Sequence, residues 1–174
     1  MTPDTTTDVE RAPEEWPKRR HLRFAAWALL IAVVVVAIDQ GTKAWAEATL
    51  TEHERIPLIG DFLGLQLAYN PGAAFSFGEG STWVFALVAV AATVTAIVFA
   101  FRVQRFEWAI IIGALGGAAA SHAGDRLFRQ PGFARGHVVD FLAYGNWFIG
   151  NIADIVIVTA AIAGALLMLR GTEN

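Results

Sequence analysis

Long apolar stretches interrupted by a few polar residues make up most of this 174-residue chain. Four of them are about as long as a membrane-crossing helix, namely 24–45, 83–101, 108–123 and 147–169. A helix rises 1.5 Å per residue, so about 20 residues cross a hydrocarbon core of about 30 Å. Helices are expected because lipid cannot satisfy exposed backbone groups. The pattern predicts an all-α membrane protein with four transmembrane helices.

The segment between the first two helices has a pattern of its own. Residues 55–59 and 62–69 are short, partly alternating stretches separated by Gly60 and Asp61. Alternation bounded by turn residues is typical of β-strands. We therefore predict a small periplasmic or extracellular β-element between helices 1 and 2.

The ends of the chain are polar. Residues 1–20 are rich in Pro, Thr, Asp and Glu and lack an apolar period, which predicts a disordered cytoplasmic tail. Residues 21–170 are then a single four-helix membrane domain, and residues 171–174 a second cytoplasmic tail.

The basic residues predict the orientation in the membrane. Eight belong to the termini and the short loop after the second helix, and five to the two long loops. The eight are Arg11, Lys18, Arg19, Arg20, Arg23, Arg102, Arg105 and Arg170; the five are Lys43, Arg55, Arg126, Arg129 and Arg135. By the positive-inside rule both termini are cytoplasmic, and the loops 46–82 and 124–146 face outward. Trp45, Trp83, Trp108 and Trp147 lie at the ends of the apolar stretches, as in an aromatic belt.

A cleaved signal peptide is the competing interpretation of the N-terminus. A basic region and an apolar run precede Ala44-Trp45-Ala46, which has the small-x-small form of a cleavage site. However, the basic region is long for a signal peptide, and Asp39 and Lys43 interrupt the run. Three further apolar stretches would keep the protein in the membrane in either case.

The composition narrows the class of protein. Hydrophobic residues make up 55% and charged residues 17%, below the quarter that soluble domains usually carry. The 16 acidic residues outnumber the 13 basic ones, which argues against a nucleic-acid partner. The chain contains no cysteine, so it has neither disulfides nor a thiolate nucleophile.

Charged residues near hydrocarbon are candidates for function, because each costs about 2.5–3.5 kcal/mol at a helix centre. Asp39 and Lys43 are four residues apart and share a helix face. They are either an interfacial ion pair that ends the helix or part of a site. Asn70-Pro71-Gly72 is a turn signal, which indicates either a tight re-entry into the second helix or a close backbone approach to a ligand.

The third apolar stretch leads into a polar segment. Small residues at positions 113, 117 and 121 give a face on which another helix can pack. His122 then lies one turn before Asp125 and Arg126. Asp140 follows apolar residues and precedes Phe141, which is unlike a solvated loop charge; a salt bridge to Arg126 or Arg135 is the structural alternative.

Asp140 and Asp154 are the most informative pair. Asn151 and Asp154 share a helix face about two turns in from Trp147, and an interhelical hydrogen bond is their structural alternative. Two carboxyls in one low-dielectric site do not both ionise easily, so the pair can act as acid and base on one water. The four histidines lack a paired zinc spacing, and no nucleophile elbow or phosphate loop is present. We expect neither a metal nor another cofactor.

At these residues the chain resembles lipoprotein signal peptidase (signal peptidase II), the bacterial membrane aspartyl peptidase family. The likeness covers roughly residues 27–169, with four motifs in family order. They are Asp39-Gln40-Gly41-Thr42-Lys43; 70–76, starting at Asn70-Pro71-Gly72; Asp125-Arg126 with Gly136-His137-Val138-Val139-Asp140-Phe141; and Asn151-Ile152-Ala153-Asp154.

The resemblance implies an aspartic endopeptidase of the bacterial cytoplasmic membrane with its site near the outer leaflet. It would remove the signal peptide of diacylglyceryl-modified prolipoproteins just before the lipidated cysteine. Asp140 and Asp154 would be catalytic. The residues that shape the site or bind substrate would be Asp39, Lys43, Asn70, Gly72, His122, Asp125, Arg126 and Asn151. The partners implied are prolipoproteins and membrane lipid, and we expect a monomer.

Two departures from the family pattern keep alternatives open. Ser121-His122 stands where the family usually has Gly-Asn, and Gly150 stands where it usually has Phe. His122 can donate a hydrogen bond as Asn would, but it is larger and can charge near neutral pH. A catalytically divergent scaffold would fit these changes, although both carboxylates are retained. A small proton or ion transporter would use Asn151 and Asp154 as a relay, but the sequence has no repeat.

Overall fold

The computed structural model describes residues 16–72 and 81–171. It contains four helices: α1 (Trp16–Thr49), α2 (Thr82–Ala100), α3 (Phe106–Phe128) and α4 (Ile152–Gly171). Two strands follow α1, β1 (Ile56–Ile59) and β2 (Leu63–Asn70), and two follow α3, β3 (Val138–Tyr144) and β4 (Phe148–Gly150). The fold is therefore mostly helical, with one small antiparallel sheet ordered β1-β2-β3-β4.

Three helices of the described residues are long and apolar enough to cross a membrane: residues 22–49 of α1, all of α2, and residues 152–170 of α4. The helix α3 is not among them, so the prediction of four transmembrane helices is confirmed for three. The helix α1 also begins at Trp16, so the expected tail 1–20 overlaps it by five residues. Residues 1–15 and 172–174 lie outside the described residues.

The expectation of an all-α protein with a small β-element is confirmed in part: the fold is mostly helical, but both long loops contribute to the sheet. The predicted strands between helices 1 and 2 are confirmed as β1 and β2. The second hairpin, β3–β4, is an addition, and β2 pairs with β3 antiparallel. The hairpin turns at Gly145–Trp147, where Gly145 takes a left-handed φ of 54° that favours glycine. Residues 147–151 are therefore hairpin, and α4 begins five residues later than the predicted span.

The small-residue face of α3 packs on α1, as predicted. A side chain at Gly117 would lie 2.6 Å from the carbonyl oxygen of Ala32, and one at Gly113 would meet the backbone of Ala28. On the other side of α3, a Cβ at Gly116 would lie 2.8 Å from the Cβ of Ala96 in α2. These close approaches place α3 between its neighbours and bring its polar end against the polar part of α1.

The sheet rests on the same end of the helices. Leu67, Val139 and Phe141 form a buried cluster with Ala46 near the end of α1, and Ile152 packs against it. The edge strand β1 is exposed along its whole length. The strand β3 has its first four residues buried, which places Asp140 inside the molecule.

Candidate active site

The aspartate pair, Asp140 and Asp154, lines one cavity of about 420 Å³. Asp140 lies on β3 and is 2% exposed, whereas the Asp154 side chain is 43% exposed. Other walls of the cavity are apolar side chains of α2, β4 and α4: Phe85, Ala89, Phe148, Ile149, Ile157 and Val158. The pair that the sequence singled out therefore shares a partly open, largely apolar space.

Strand register brings the groups around Asp140 together. Ala68 lies opposite Asp140 in the β2–β3 pairing, so Asn70, two residues on, shares its face. Nδ2 of Asn70 donates to Oδ2 of Asp140 at 3.1 Å. In the next hairpin Gly150 pairs with Leu142, which places Asn151 beside Asp140. Nδ2 of Asn151 donates to Oδ1 of Asp140 at 2.6 Å.

Asp154 is held by the start of its own helix. Its backbone N–H donates to Oδ1 of Asn151 at 3.1 Å, and its Oδ2 accepts the N–H of Asn151 at 2.9 Å. This reciprocal arrangement is a capping box, with Asn151 as the cap. Asp154 thus lies in the first turn of α4, not two turns in as the sequence suggested. Asn151 bonds to both members of the pair.

The electrostatics of Asp140 favour its protonated form. Burial, and secondly the nearby Asp154 carboxylate, raise the pKa of Asp140 to about 6, against hydrogen bonds from Asn151 and Asn70 that lower it. The influence of Asp154 on this pKa means that the two carboxyls are electrostatically coupled.

Arg126 organises the turn at residues 70–72 and does not form the expected alternative salt bridge to Asp140. Its Nη1 donates to the carbonyl oxygens of Asn70 at 2.9 Å and Gly136 at 3.1 Å, and its Nη2 donates to the carbonyl of Gly72. The Gly72 N–H donates to Oδ1 of Asn70 at 3.0 Å, forming an Asx turn. The turn that carries Asn70 is therefore fastened to α3.

A second group of charges, the buried ion cluster, lies between α1 and α3. Nζ of Lys43 is 2.5 Å from Asp39 and 2.7 Å from Asp125, and all three side chains are at most 1% exposed. The Asp39–Lys43 pair does not end α1, which continues to Thr49. Arg129 donates to Asp125 at 2.7 Å and pairs with Glu47 at 2.6 Å.

Asp39 also reaches the helix of the aspartate pair. Its Oδ1 accepts the backbone N–H of Ala153 at 2.8 Å, in the first turn of α4. Its Oδ2 accepts the hydroxyl of Ser121 at 2.6 Å. The cluster thus positions α4, and the Ser121 departure has a hydrogen-bonding role in it.

Sequence reasoning missed several members of the cluster. Arg129 was counted as a loop charge, although its spacing of four from Asp125 on a helix is a recognisable signal. Gln40 donates to Asp125 at 2.9 Å and to the hydroxyl of Ser121 at 2.9 Å. Glu47, which pairs with Arg129, had no distinguishing signal. Residues 73–76 of the second motif lie outside the described residues.

His122 joins the aspartate pair and not the ion cluster. Its Nε2 is 3.3 Å from Oδ1 of Asp154, and it lines the same cavity. Within residues 16–72 and 81–171, no group of three or more His, Asp or Glu side chains is arranged to hold a metal ion. The chemistry available is that of two carboxyls, their amide donors and an imidazole.

Comparison with known proteins now identifies the family. Residues 31–170 match the model of a family described as signal peptidase (SPase) II. The chain belongs to the signal peptidase II family. It is 42% identical over 163 residues to a lipoprotein signal peptidase of Leifsonia xyli subsp. xyli, covering 92% of this chain and 76% of that protein. It is also 38% identical to the lipoprotein signal peptidase of Rhodococcus jostii, and the match covers 99% of this chain and 90% of that protein.

The fold also has a match among solved structures. The fold matches a bacterial membrane enzyme determined by the in meso method at 2.3 Å resolution, with a TM-score of 0.73 and 27% identity over 83% of this chain and 88% of that one. Together with three apolar helices, family membership supports a multi-pass membrane protein. Membership of the signal peptidase II family also implies a protease that acts in lipoprotein processing.

Proposed function

We propose that the protein is an aspartic endopeptidase of the bacterial cytoplasmic membrane that removes signal peptides from diacylglyceryl-modified prolipoproteins. The observation that carries this proposal is the aspartate pair: two carboxyls face one cavity and are held by Asn70, Asn151 and His122. Cleavage falls just before the lipidated cysteine, and the site faces the outer leaflet.

The topology supports a fourth crossing by α3. The sheet joins β2, which follows α1, to β3, which follows α3, so both segments lie on one side of the membrane. The helix α2 leaves that side, and α3 must return to it before β3 begins. Ser121, Asp125 and Arg126 at the polar end of α3 are buried, which shields them from lipid. We infer that both termini are cytoplasmic and the sheet lies outside.

An apolar groove continues from the active-site cavity along the helices and offers a path for the signal peptide. Its lining includes Ala96 of α2, Ala119 of α3 and Ile157 of α4, and Ile157 also lines the cavity. From Phe85 to Phe99, α2 spans about 21 Å at 1.5 Å per residue. The apolar region of a signal peptide has 7–15 residues, so as a helix it spans about 10–22 Å and matches this length.

The reaction is hydrolysis of one amide bond. One carboxylate accepts a proton from a water molecule while the oxygen of that water attacks the scissile carbonyl carbon. The other carboxyl protonates the cysteine nitrogen as the C–N bond breaks, leaving a signal-peptide carboxylate and a free amino terminus. General acid–base catalysis of this kind contributes about 10²–10⁴-fold.

The test is cleavage of a diacylglyceryl prolipoprotein peptide by the purified protein, beside Asp140→Asn and Asp154→Asn. We expect either substitution to lower kcat by at least about 100-fold. Asp61→Asn, in an exposed turn, is the matched control and should cleave like the wild type. Cleavage that survives substitution of the pair would contradict the mechanism. Binding without cleavage by the wild type would indicate a scaffold.

A further inference from the structure

The two carboxyls of the aspartate pair have different donors. Asp140 receives two neutral side-chain amides, from Asn70 and Asn151, and is almost fully buried. Asp154 receives a backbone N–H from Asn151 and the imidazole of His122. An imidazole can carry a full positive charge near neutral pH, which an amide cannot. The pair is therefore electrostatically asymmetric.

The position of Asp154 adds to this asymmetry. It lies in the first turn of α4, where the helix dipole favours negative charge. Its side chain is also 43% exposed, so its anion keeps more solvation than that of Asp140. These three features, the imidazole, the helix start and the partial exposure, favour the carboxylate form of Asp154 over that of Asp140.

We propose that His122 is a positioning residue that keeps Asp154 ionised as the base that activates water, so that Asp140 carries the proton to the leaving amine. This inference rests on the proposed function and divides the work between its two carboxyls. His122 acts through Asp154 and need not contact the substrate.

Among the residues that the structure describes, the other charged groups near the pair are engaged elsewhere. Arg126 of α3 donates to three backbone carbonyls, and Lys43 of α1 is paired with Asp39 and Asp125. Burial and then the Asp154 carboxylate raise the pKa of Tyr144 of β3, so its phenol stays neutral over the working range. The walls from α2 include only apolar Phe85 and Ala89 among the described residues. Within residues 16–72 and 81–171, His122 is thus the basic side chain in contact with Asp154.

Substitution of His122 separates hydrogen bonding from charge. His122→Gln places an amide donor near the position of Nε2 without a charge, and His122→Ala removes both. His53→Asn is the matched control: His53 is exposed at a backbone φ of 64°, which Asn tolerates. Thermal unfolding of each variant in detergent confirms that it is folded.

The measurement is kcat/KM for the diacylglyceryl peptide as a function of pH, with the full-length protein in lipid. For His122→Gln we expect the acidic limb to move to higher pH, with roughly tenfold lower kcat/KM along that limb, which corresponds to one pH unit. The alkaline limb, assigned to Asp140, should move in the same direction but by less, because His122 is the smallest of the influences that lower the pKa of Asp140. His122→Ala should show the same displacement, and His53→Asn should superimpose on the wild type.

The outcomes are distinguishable. An unchanged profile in His122→Gln, or the same loss of activity at every pH, overturns the assignment of His122 while the peptidase function stands. If the wild type does not cleave the peptide at any pH, the proposed function fails, and the inference fails with it.

Discussion

The buried ion cluster and the aspartate pair each contain two aspartates, but their surroundings differ. In the cluster, Asp39 and Asp125 share the ammonium of Lys43 and are shut away from solvent. In the pair, Asp140 and Asp154 are held mainly by amide groups and line a cavity. Carboxylates neutralised by buried cations hold helices together, whereas a pair of carboxyls without a buried cation can keep one proton to exchange. The surroundings of an aspartate, and not its residue type, therefore decide whether it has a structural or a chemical role in this protein.

The largest effect on stability should come from Lys43. Lys43→Met keeps an unbranched side chain but leaves Asp39 and Asp125 without their shared cation. Breaking a buried pair in this way costs about 3–5 kcal/mol. Denaturant unfolding in detergent measures the loss. Asp140→Asn keeps an acceptor for only one of the two amide donors of Asp140 and should cost less, about 1–3 kcal/mol. Equal losses in both variants would contradict the difference between the two regions.

The sequence predicted part of this contrast through local spacing. Asp39 and Lys43 lie four apart on a helix, and Asn151 and Asp154 have the spacing of a capping box. The sequence could not predict which charged residues that are distant in the chain contact each other. Asp125 lies next to Arg126 in sequence, yet it belongs to the ion cluster because packing of α3 on α1 brings it to Lys43, 82 residues away.

The second hairpin shows a different limit. Gly145-Asn146 lies between two short apolar runs and is a hairpin signal. However, Trp147, Phe148 and Ile149 continue into a long apolar stretch, so hydrophobicity assigned them to a helix. Pairing of β3 with both β2 and β4 satisfies their backbone groups and overrides that pattern. A local apolar run does not distinguish a buried strand from the start of a helix.

Asp39 tests whether the ion cluster positions the pair. Asp39→Asn weakens charge-assisted hydrogen bonds to Lys43, Ser121 and the backbone of Ala153. A hydrogen bond to a charged group contributes about 1.5–3 kcal/mol, which sets the expected loss of stability. Because Ala153 lies in the first turn of α4, kcat should fall as well, with KM little changed.

Asp125→Asn is the matched variant for this effect. It perturbs the same cluster, but Asp125 bonds to Lys43, Gln40 and Arg129 and not to α4. It should lose stability and keep more of its kcat than Asp39→Asn. If both variants lose kcat in proportion to stability, the contact with Ala153 has no positioning role.

The pH dependence of the wild type should report Asp140. Its pKa is raised to about 6, so below that pH it retains the proton needed for the leaving amine. As pH rises through this value, kcat/KM should fall about tenfold per pH unit, which is 1.36 kcal/mol of barrier per unit. Initial rates with the lipidated peptide measure this limb. If kcat/KM stays constant above a pH of about 6, the group that protonates the leaving amine is not Asp140.

Substitution of Glu47 should show that the exposed edge of the ion cluster contributes little to the free energy of unfolding. Its side chain is 29% exposed, and its partner Arg129 is 23% exposed. Partly exposed pairs are screened by solvent, so Glu47→Gln should cost at most about 1 kcal/mol, and less at high salt. Unfolding at two salt concentrations checks this. A loss as large as that of Lys43→Met would mean that the cluster does not weaken toward its edge.

The smallest change is a single methyl group beside the pair. A Cβ at Gly150 would lie 3.0 Å from Oδ2 of Asp154 and 3.4 Å from the ring of Phe148, so the carboxylate must move by a few tenths of an ångström. That oxygen accepts the N–H of Asn151, and displacing it should lower kcat severalfold. The free energy of unfolding should change by less than about 1 kcal/mol, because the restriction of the unfolded chain by alanine offsets the weakened capping contact.

Gly41→Ala separates these two effects. A Cβ at Gly41 meets nothing within 4 Å in α1, so this variant gains the same backbone restriction without touching the pair. It should be at least as stable as the wild type and cleave at the same rate. Gly150→Ala should therefore lose activity without losing stability, the reverse of what Glu47→Gln does in the ion cluster. If Gly150→Ala keeps full kcat, catalysis tolerates a displacement of the Asp154 carboxylate. The capping contacts of Asp154 would then not be needed to fix the geometry of the aspartate pair.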